Sequence, residues 1–343
     1  QEVAEGYKDV KDIAVTVKFK VKNPEKLPLT RNTNTDVYLL AWTTTPWTLP
    51  GNVALAVGDD IDYVALNAGS EIYIVSDQFH TKTPSLNIPM QVFQGDKLLT
   101  IKGKELVGLE YEPPFDYYVN DKSLKNRENG WKVYAADFIT TDTGTGIAHE
   151  APAFGADDWE LLKKENLPFV QHVNMDGTMK SEVRDFADRS IIPRAKDDPG
   201  EVRDIDLDIK KFLGEKIFDS AKVTHSYPHC WRCDTALLNY ATSSWFVSVT
   251  KIKENLLKNA KAIHWSPEHI KEGRFGKWLE GARDWSISRQ RFWASPLPIW
   301  KDKKGNVTVI GSLKELKAHT KKSGNTYFVM RHGEAESNVR NIS

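Results

Sequence analysis

Short apolar segments separated by turn residues are the feature that most constrains the fold of this 343-residue chain. Residues 15–22 alternate apolar and polar side chains, which predicts a half-buried strand with one solvated face. Residues 36–43 are apolar on both faces and predict a central strand. Residues 63–67 and 71–75 flank a turn at 68–70 and are typical of a hairpin. Further strands are predicted near 97–101, 131–135 and 147–149. So many short strands favour a closed or nearly closed β-barrel over a doubly wound sheet.

Helical patterns occur mainly later in the chain. Residues 157–166 begin with two acids, end with two lysines and stop before a proline, which predicts a helix with Trp159 and Leu162 on one face. Residues 252–262 and 276–282 are also predicted to be helical. The predicted fold class is therefore β-rich α+β.

Composition narrows the class of protein further. The 47 basic and 47 acidic residues give a formal net charge of zero, which excludes a polycationic tail. Two cysteines exclude a disulfide scaffold and fit a reducing compartment. No apolar run approaches the ~18–20 residues needed to span a bilayer, and the first residues lack a signal-peptide pattern. We expect a soluble cytoplasmic chain, and the ends of the sequence suggest a piece of a longer polypeptide.

The first chemical motif is a threonine-rich turn that directly follows the predicted strand 36–43. Pro46 fixes φ and removes a hydrogen-bond donor, so the strand must end there. The threonine hydroxyls are both donors and acceptors. A hydroxyl-capped loop is the structural alternative, but the prolines and tryptophans around the hydroxyls favour a functional turn. The candidate residues of the turn are Trp42, Thr43, Thr44, Thr45, Thr48 and Asn52.

The second motif combines glycines, a histidine and an aspartate. Gly144 and Gly146 permit close approach of the backbone to a ligand. His149 ends a predicted strand, and Asp158 follows nine positions later in the first turn of a predicted helix. The phosphate-binding G-x-x-x-x-G-K-[ST] pattern is absent. A structural His–Asp pair, with Asp158 as a helix-capping carboxylate, is the alternative.

Together these two segments resemble the editing domain of the isoleucyl-tRNA synthetase family. That domain is a β-barrel inserted into the Rossmann core of class I synthetases for isoleucine, valine and leucine. The chain matches, position by position, W-T-T-T-P-W-T-L-P-x-N and G-T-G-x-x-H-x-A-P-x-x-G-x-D-D. The valine and leucine enzymes have arginine where Thr45 stands, which favours the isoleucine enzyme. The resemblance implies an editing β-barrel inserted in a class I Rossmann core of which only part is present.

The implied activity is hydrolysis of Val-tRNA(Ile). One methylene in an apolar pocket discriminates by only ~1–3 kcal/mol, about 10–200-fold, a limit for which this family is the standard example. The family assigns Asp158 to the substrate ammonium and His149 to limiting pocket size. It assigns the four threonines to the ester, the terminal adenosine and the attacking water. It implies substrate binding by Trp42, Asn52, Gly144 and Gly146.

The resemblance also implies cofactors and partners. Editing needs no cofactor, whereas the parent enzyme uses ATP and Mg²⁺ to attach isoleucine to tRNA(Ile). The implied partners are the 3′ end of tRNA(Ile) and aminoacyl esters of valine and isoleucine, with no membrane, and we expect a monomer.

Cys230 and Cys233 are spaced like half of a zinc knuckle. A structural zinc ion takes four ligands, and His225 and His229 are nearby alternatives. In some synthetases of this type a second Cys-x-x-Cys lies before the editing insertion. The pair is therefore either half a zinc site or two reduced thiols, and zinc is an open cofactor prediction.

Residues 283–293 resemble the R-D-W-x-I-S-R-Q-R-x-W segment where these enzymes re-enter the Rossmann core. The resemblance places Gln290 and Trp293 near the aminoacyl-adenylate pocket. Composition alone indicates a basic and aromatic nucleic-acid contact. The HIGH and KMSKS motifs do not occur in the sequence, so we expect no isoleucine activation from this chain alone.

Residues 327–334 end in Arg-His-Gly-Glu after an apolar segment and resemble the start of the histidine phosphatase superfamily. There His332 would be the phosphorylated nucleophile and Arg331 a phosphate ligand. The rest of that fold is absent, and a chance tetrapeptide is the alternative.

The predicted division is an entry strand or stem at 1–30, the editing barrel at 31–222, a stem with a partial Rossmann core at 223–322, and a phosphatase-like insertion that starts at 323–343. Two other functions stay open. One is a histidine phosphatase fused to an RNA-binding module, and the other is a non-catalytic tRNA-binding fragment.

Overall fold

A computed structural model describes residues 6–29, 35–82, 96–192, 204–231, 233–289 and 296–320. The chain divides into two compact units, Gln1–Thr242 and Ser243–Ser343. Within the described residues, no helix is long and apolar enough to cross a membrane. The predicted β-rich α+β class is confirmed.

The described residues of the first unit form two sheets. The six-stranded sheet has the order β6-β4-β5-β2-β1-β9, and all its neighbours are antiparallel except β2 and β5. The three-stranded sheet has the order β7-β3-β8. The strands are β1 (Tyr7–Lys20), β2 (Asp36–Thr43), β3 (Ala54–Val57), β4 (Asp62–Asn67), β5 (Glu71–Ser76), β6 (Asp96–Lys102), β7 (Val133–Ala135), β8 (Ile147–Glu150) and β9 (Ile217–Pro228). The predicted β4–β5 hairpin and the central position of β2 are confirmed, and closure of a barrel stays a prediction.

The solvated face predicted for residues 15–22 is confirmed at Lys22, which is exposed, and in part at Lys20, but it is wrong at Thr16 and Lys18. Thr16 is buried, and Lys18 is half-buried. The Nζ atom of Lys18 lies 3.1 Å from a carboxylate oxygen of Glu71 and 5.1 Å from the centre of the Tyr38 ring. Tyr38 comes from the neighbouring strand β2 and Glu71 from β5, the strand beyond it, so the aliphatic stem of the lysine is covered while its charge is paired.

One apolar core joins the two sheets. Phe19, Leu39, Leu55 and Ile147 all belong to it, and so does Trp47 from the connection between β2 and β3. Apolar side chains fill this space because alternate positions of each strand point to the same face. The connection that carries the threonines is therefore anchored in the core rather than lying on the surface.

In the described part of this unit, four α-helices and several 3₁₀ turns accompany these sheets. The predicted helix at 157–166 is confirmed with bounds Ala156–Glu165, and Asn166 closes it in the left-handed region. Its buried residue is Leu161 rather than Trp159, which is 38% exposed. The helices are α1 (Asp77–Lys82), α2 (Gly103–Leu106), α3 (Ala156–Glu165) and α4 (Asp204–Leu213), with 3₁₀ turns at Pro24–Lys26, Pro46–Gly51, Arg127–Asn129 and Gly214–Lys216.

The second unit contains short elements. Strand pairs β10–β11 and β12–β13 are both antiparallel. The helices predicted at 252–262 and 276–282 are confirmed, the latter starting two residues earlier. The elements are β10 (Phe246–Val247), α5 (Lys253–Ala262), α6 (Arg274–Glu280), β11 (Trp285–Ser286), β12 (Ile299–Lys301), β13 (Val307–Val309) and α7 (Leu313–His319), with 3₁₀ turns at Val249–Ile252 and Glu268–Ile270.

Candidate functional site

The threonine turn is an ordered, buried connection. It begins where β2 ends at Thr43 and continues as the 3₁₀ turn Pro46–Gly51, with Pro46 at its first position. The Thr43 Oγ1 atom accepts the Thr45 N–H at 3.1 Å, and the two hydroxyls lie 3.2 Å apart. The Thr48 hydroxyl donates to the Thr45 carbonyl oxygen at 2.7 Å. The hydroxyls therefore organise their own turn, as short polar side chains do at helix starts.

Two distant side chains hold the Trp47 peptide within this turn. Asp206 of α4 accepts the Trp47 N–H at 2.9 Å, and His172 Nε2 lies 2.9 Å from the Trp47 carbonyl oxygen. That oxygen is only an acceptor, so His172 donates from Nε2. Burial lowers the pKa of His172 to about 4, so the ring is neutral at pH 7. Sequence reasoning missed both residues, because nothing in the sequence links positions more than 100 residues apart.

Asn52 follows the turn, and all its amide groups are used. Its Nδ2 atom lies 2.9 Å from the Ala54 carbonyl oxygen, which can only accept, so this atom is the nitrogen of the amide. The same nitrogen lies 3.1 Å from His149 Nδ1. Its Oδ1 accepts from the Tyr111 hydroxyl at 2.8 Å. One hydrogen therefore goes to Ala54 and the other to His149.

This orientation determines the proton position on His149. Because Nδ1 accepts from Asn52, the ring proton is on Nε2, which lies 2.8 Å from Thr48 Oγ1 and donates to it. Desolvation, and then the neighbouring His172, lower the pKa of His149 to about 3. The ring is therefore neutral at pH 7, and both nitrogens are engaged.

Asp158 lies in the first turn of α3 and reaches back toward the end of β8. Its Oδ2 accepts the Ala151 N–H at 2.7 Å. A side chain at Gly155 would come within 2.2 Å of Oδ1, so the glycine leaves room for the carboxylate. Burial raises the pKa of Asp158, the Ala151 N–H opposes that rise, and no cation of the described residues contributes to the shift. A carboxylate in this position is electrostatically suited to an incoming cation.

Thr48 and Asp158 contact the chain at nearby positions around the end of β8. Thr48 bonds to His149, and Asp158 bonds to the backbone of Ala151, two residues later. Two residues span at most about 7 Å along the backbone, so these two contact points are close together. Hydrogen bonds join Thr43, Thr45, Thr48, Asn52 and His149 to one another, and Thr44 is half-buried in the same turn.

A hollow of about 240 Å³ is lined by the glycine segment and Trp42. Gly144 and Gly146 have φ values of +73° and +76°, which favour glycine. A side chain at Gly144 would come within 3.1 Å of the Trp42 ring, and one at Gly146 within 2.6 Å of Ser76. The glycines therefore form one wall of the hollow, and the Trp42 indole packs against it. The predicted substrate-binding residues Trp42, Gly144 and Gly146 thus line the same hollow.

Glu150, which sequence reasoning did not single out, is buried at the end of β8. Its side chain is 1% exposed, and its Oε2 has no hydrogen-bond partner within the described part of the chain. Burial, and then the nearby Asp158 and Asp157, raise the pKa of Glu150 well above its ordinary value. The folded protein therefore keeps a proton on this carboxyl at pH values where an unfolded chain releases it.

Replacing Glu150 with glutamine is expected to stabilise the protein more at pH 8 than at pH 5. Above the ordinary pKa of 4.5 the unfolded chain loses the proton that the folded chain retains, so stability falls as the pH rises. Stability falls by at most about 1.4 kcal/mol per pH unit while the folded carboxyl stays protonated, and glutamine removes this loss. Urea unfolding of both proteins at the two pH values measures the difference. An equal stabilisation at both pH values would contradict the raised pKa.

The remaining predicted residues lie elsewhere. The Cys233 Sγ lies 3.4 Å from Thr235 Oγ1. Among the described residues, no group of three His, Cys, Asp or Glu side chains is placed to hold a metal ion. The described residues around Cys230 and Cys233 thus offer at most two of the four ligands of a structural zinc ion, and zinc stays a prediction. Gln290, Trp293, Arg331 and His332 lie outside the described residues.

Comparison with known proteins identifies the family. Residues 2–339 match the tRNA synthetases class I (I, L, M and V). The chain belongs to this family. The isoleucine–tRNA ligase of Treponema denticola is 43% identical to this class I synthetase chain over 337 residues, which cover 91% of this chain and 29% of the relative. The isoleucine–tRNA ligase of Bdellovibrio bacteriovorus is 42% identical over 318 residues, with 92% and 28% covered. The synthetase chain thus spans less than a third of the length of these relatives.

Solved structures give partial overlaps with this synthetase chain. The editing domain of the cytosolic leucyl-tRNA synthetase of P. knowlesi overlaps with a TM-score of 0.34 and 16% identity, over 46% of this chain and 66% of that one. The corresponding P. falciparum domain gives a TM-score of 0.34 and 15% identity, with 45% and 67% covered. The family assignment rests on the sequence matches alone.

Proposed function

We propose that residues 31–222 form an editing domain that hydrolyses Val-tRNA(Ile). The observation that supports this most directly is that Thr48 of the turn bonds to His149, while Asp158 bonds to the backbone of Ala151, only two residues further along. The names of the relatives, isoleucine–tRNA ligases, support the choice of tRNA. The parent enzyme then attaches isoleucine to tRNA(Ile) with ATP and Mg²⁺.

In this proposal Asp158 binds the α-ammonium group of the ester. Its Oδ2 already accepts the Ala151 N–H, and a carboxylate has further lone pairs for a charged donor. The ammonium group would compensate the Asp158 carboxylate for the water that it loses through burial. Asp158 thus fixes the amino acid by its ammonium group, and the ester carbonyl then faces the threonines.

The threonines divide into two pairs. Thr43 and Thr48 are buried and hold the turn, and the hydroxyl proton of Thr48 is already committed to the Thr45 carbonyl. Thr44 and Thr45 are half-buried, so their hydroxyls can reach the ester and a water molecule. Water attacks the ester carbon, the bond to the ribose oxygen breaks, and the released proton goes to that oxygen. Orientation of the water and hydrogen bonds to the developing oxyanion suffice for an activated ester.

His149 forms a wall of the pocket rather than a general base. Its Nδ1 lone pair accepts from Asn52, and its Nε2 proton goes to Thr48. Burial disfavours its charged form. A ring held in this way has a fixed position, which suits a wall that excludes the additional methylene of isoleucine.

The test is deacylation of radiolabelled Val-tRNA(Ile) by the 343-residue chain, with Ile-tRNA(Ile) as the control substrate. We expect rapid release of valine and slow release of isoleucine. Binding of tRNA without release of valine would contradict the proposal and favour a non-catalytic tRNA-binding fragment.

A further inference from the structure

The hydrogen bonds of Asn52 leave it nothing to offer a substrate. It is 4% exposed, and its amide oxygen and both amide hydrogens already have partners in the protein. Its backbone carbonyl accepts from the Trp131 indole N–H at 3.0 Å. A residue so fully engaged acts through a neighbour, and the neighbour that belongs to the candidate site is His149.

Tyr111 completes this arrangement from the core. Its side chain is fully buried, and its ring packs edge-on against Phe19 with centroids 5.4 Å apart. Packing therefore fixes the hydroxyl, which donates to Asn52 Oδ1 at 2.8 Å. Because a buried amide oxygen without a donor is costly, this bond resists rotation of the Asn52 side chain. Ala54 fixes the other end of the amide.

We propose that Tyr111 and Asn52 are a positioning pair that keeps the His149 proton on Nε2 and so fixes the ring against Thr48. In the other tautomer Nδ1–H would face the Asn52 amide hydrogens, and Nε2 would lose its proton for Thr48. The proposal deepens the proposed editing function, since it explains how the wall of the pocket is held. Through the side chains of Asn52 and Tyr111, the candidate site extends from His149 into the core.

The direct test is the tautomer of His149. We would record long-range proton–nitrogen NMR spectra of the full chain labelled with nitrogen-15 histidine, and assign the signals with His149→Gln. In the wild type we expect Nδ1 without a proton and Nε2 protonated. In Asn52→Asp the side chain has at most one hydrogen, which Ala54 takes, so Nδ1 faces an acceptor. We expect the proton to move to Nδ1 or the ring to become charged.

Tyr111→Phe is the second variant, and it decides the proposal if Asn52→Asp does not fold. It removes only the hydroxyl, and we expect signals of the Nδ1–H tautomer together with about a tenfold fall in the ratio of valine to isoleucine release. Tyr240→Phe is the matched control, because its hydroxyl also donates at 2.8 Å, to the Val173 carbonyl outside this network. We expect a wild-type His149 spectrum from it.

An unchanged His149 spectrum in the folded Asn52→Asp or Tyr111→Phe variant overturns the positioning pair, whatever the hydrolysis rate. A chain that releases no valine overturns the editing function, while the spectra still decide the tautomer. The two failures are therefore distinguishable.

Discussion

Replacing Asp158 with alanine is expected to slow the release of valine from Val-tRNA(Ile) by about one to two orders of magnitude. The reason is the loss of a charge-assisted contact to the substrate ammonium, which is worth about 1.5–3 kcal/mol. Deacylation under single-turnover conditions measures the effect. The carboxylate also accepts the Ala151 N–H, so circular dichroism and the unfolding midpoint must accompany the rates.

Asp157→Ala is the matched control for this prediction. Asp157 is the preceding residue in the same helical turn and is exposed, so its removal changes the charge of the helix start while the Asp158 carboxylate stays in place. We expect near wild-type hydrolysis from it. Equal losses in both variants would show that helix α3, rather than the Asp158 carboxylate, is what the reaction needs.

Replacing His149 with alanine is expected to open the pocket to isoleucine. The imidazole leaves a space larger than the one methylene that distinguishes the two amino acids, and a methylene is worth about 10–200-fold in an apolar pocket. We expect the ratio of valine to isoleucine release to fall by at least about tenfold, mainly through faster hydrolysis of Ile-tRNA(Ile). Parallel deacylation assays with the two esters measure this ratio.

The exposed His264 provides the control, since His264→Ala removes an imidazole outside the first unit. If His149→Ala lowers both rates equally and leaves the ratio unchanged, the ring supports the turn and does not set the size of the pocket. The double variant with Asp158→Ala should hydrolyse both esters about one to two orders of magnitude more slowly than His149→Ala alone.

Much of the local structure was predictable from the sequence because its causes are local. Two short apolar runs that flank a turn place β4 and β5, and the glycine and proline signals between segments place the turns. Acids and lysines at its ends place α3. The failures have a physical reason as well. Lys18 is half-buried because Glu71 and Tyr38, far away in sequence, cover it.

The residues of the candidate site also divide into those that the sequence identifies and those that depend on contacts distant in sequence. Thr48, His149 and Asp158 stand out as chemical residue types in two dense motifs, and the structure brings them together. Tyr111 and Asp206, which hold the motifs in place, look like ordinary core and helix residues in the sequence. Their roles depend on tertiary contacts alone, and a pattern along the chain carries no such information.

The threonine turn is also the link between the two sheets, because β2 belongs to one and β3 to the other. Pro46 and Pro50 fix two of its φ angles, and Trp47 ties it to the core. A connection constrained in this way has little conformational freedom, so it cannot move aside when a larger amino acid enters. A pocket excludes a larger amino acid by size only when its wall is rigid. Mechanical stiffness between the sheets would then be as much a source of translational fidelity as the chemistry of the residues that touch the ester.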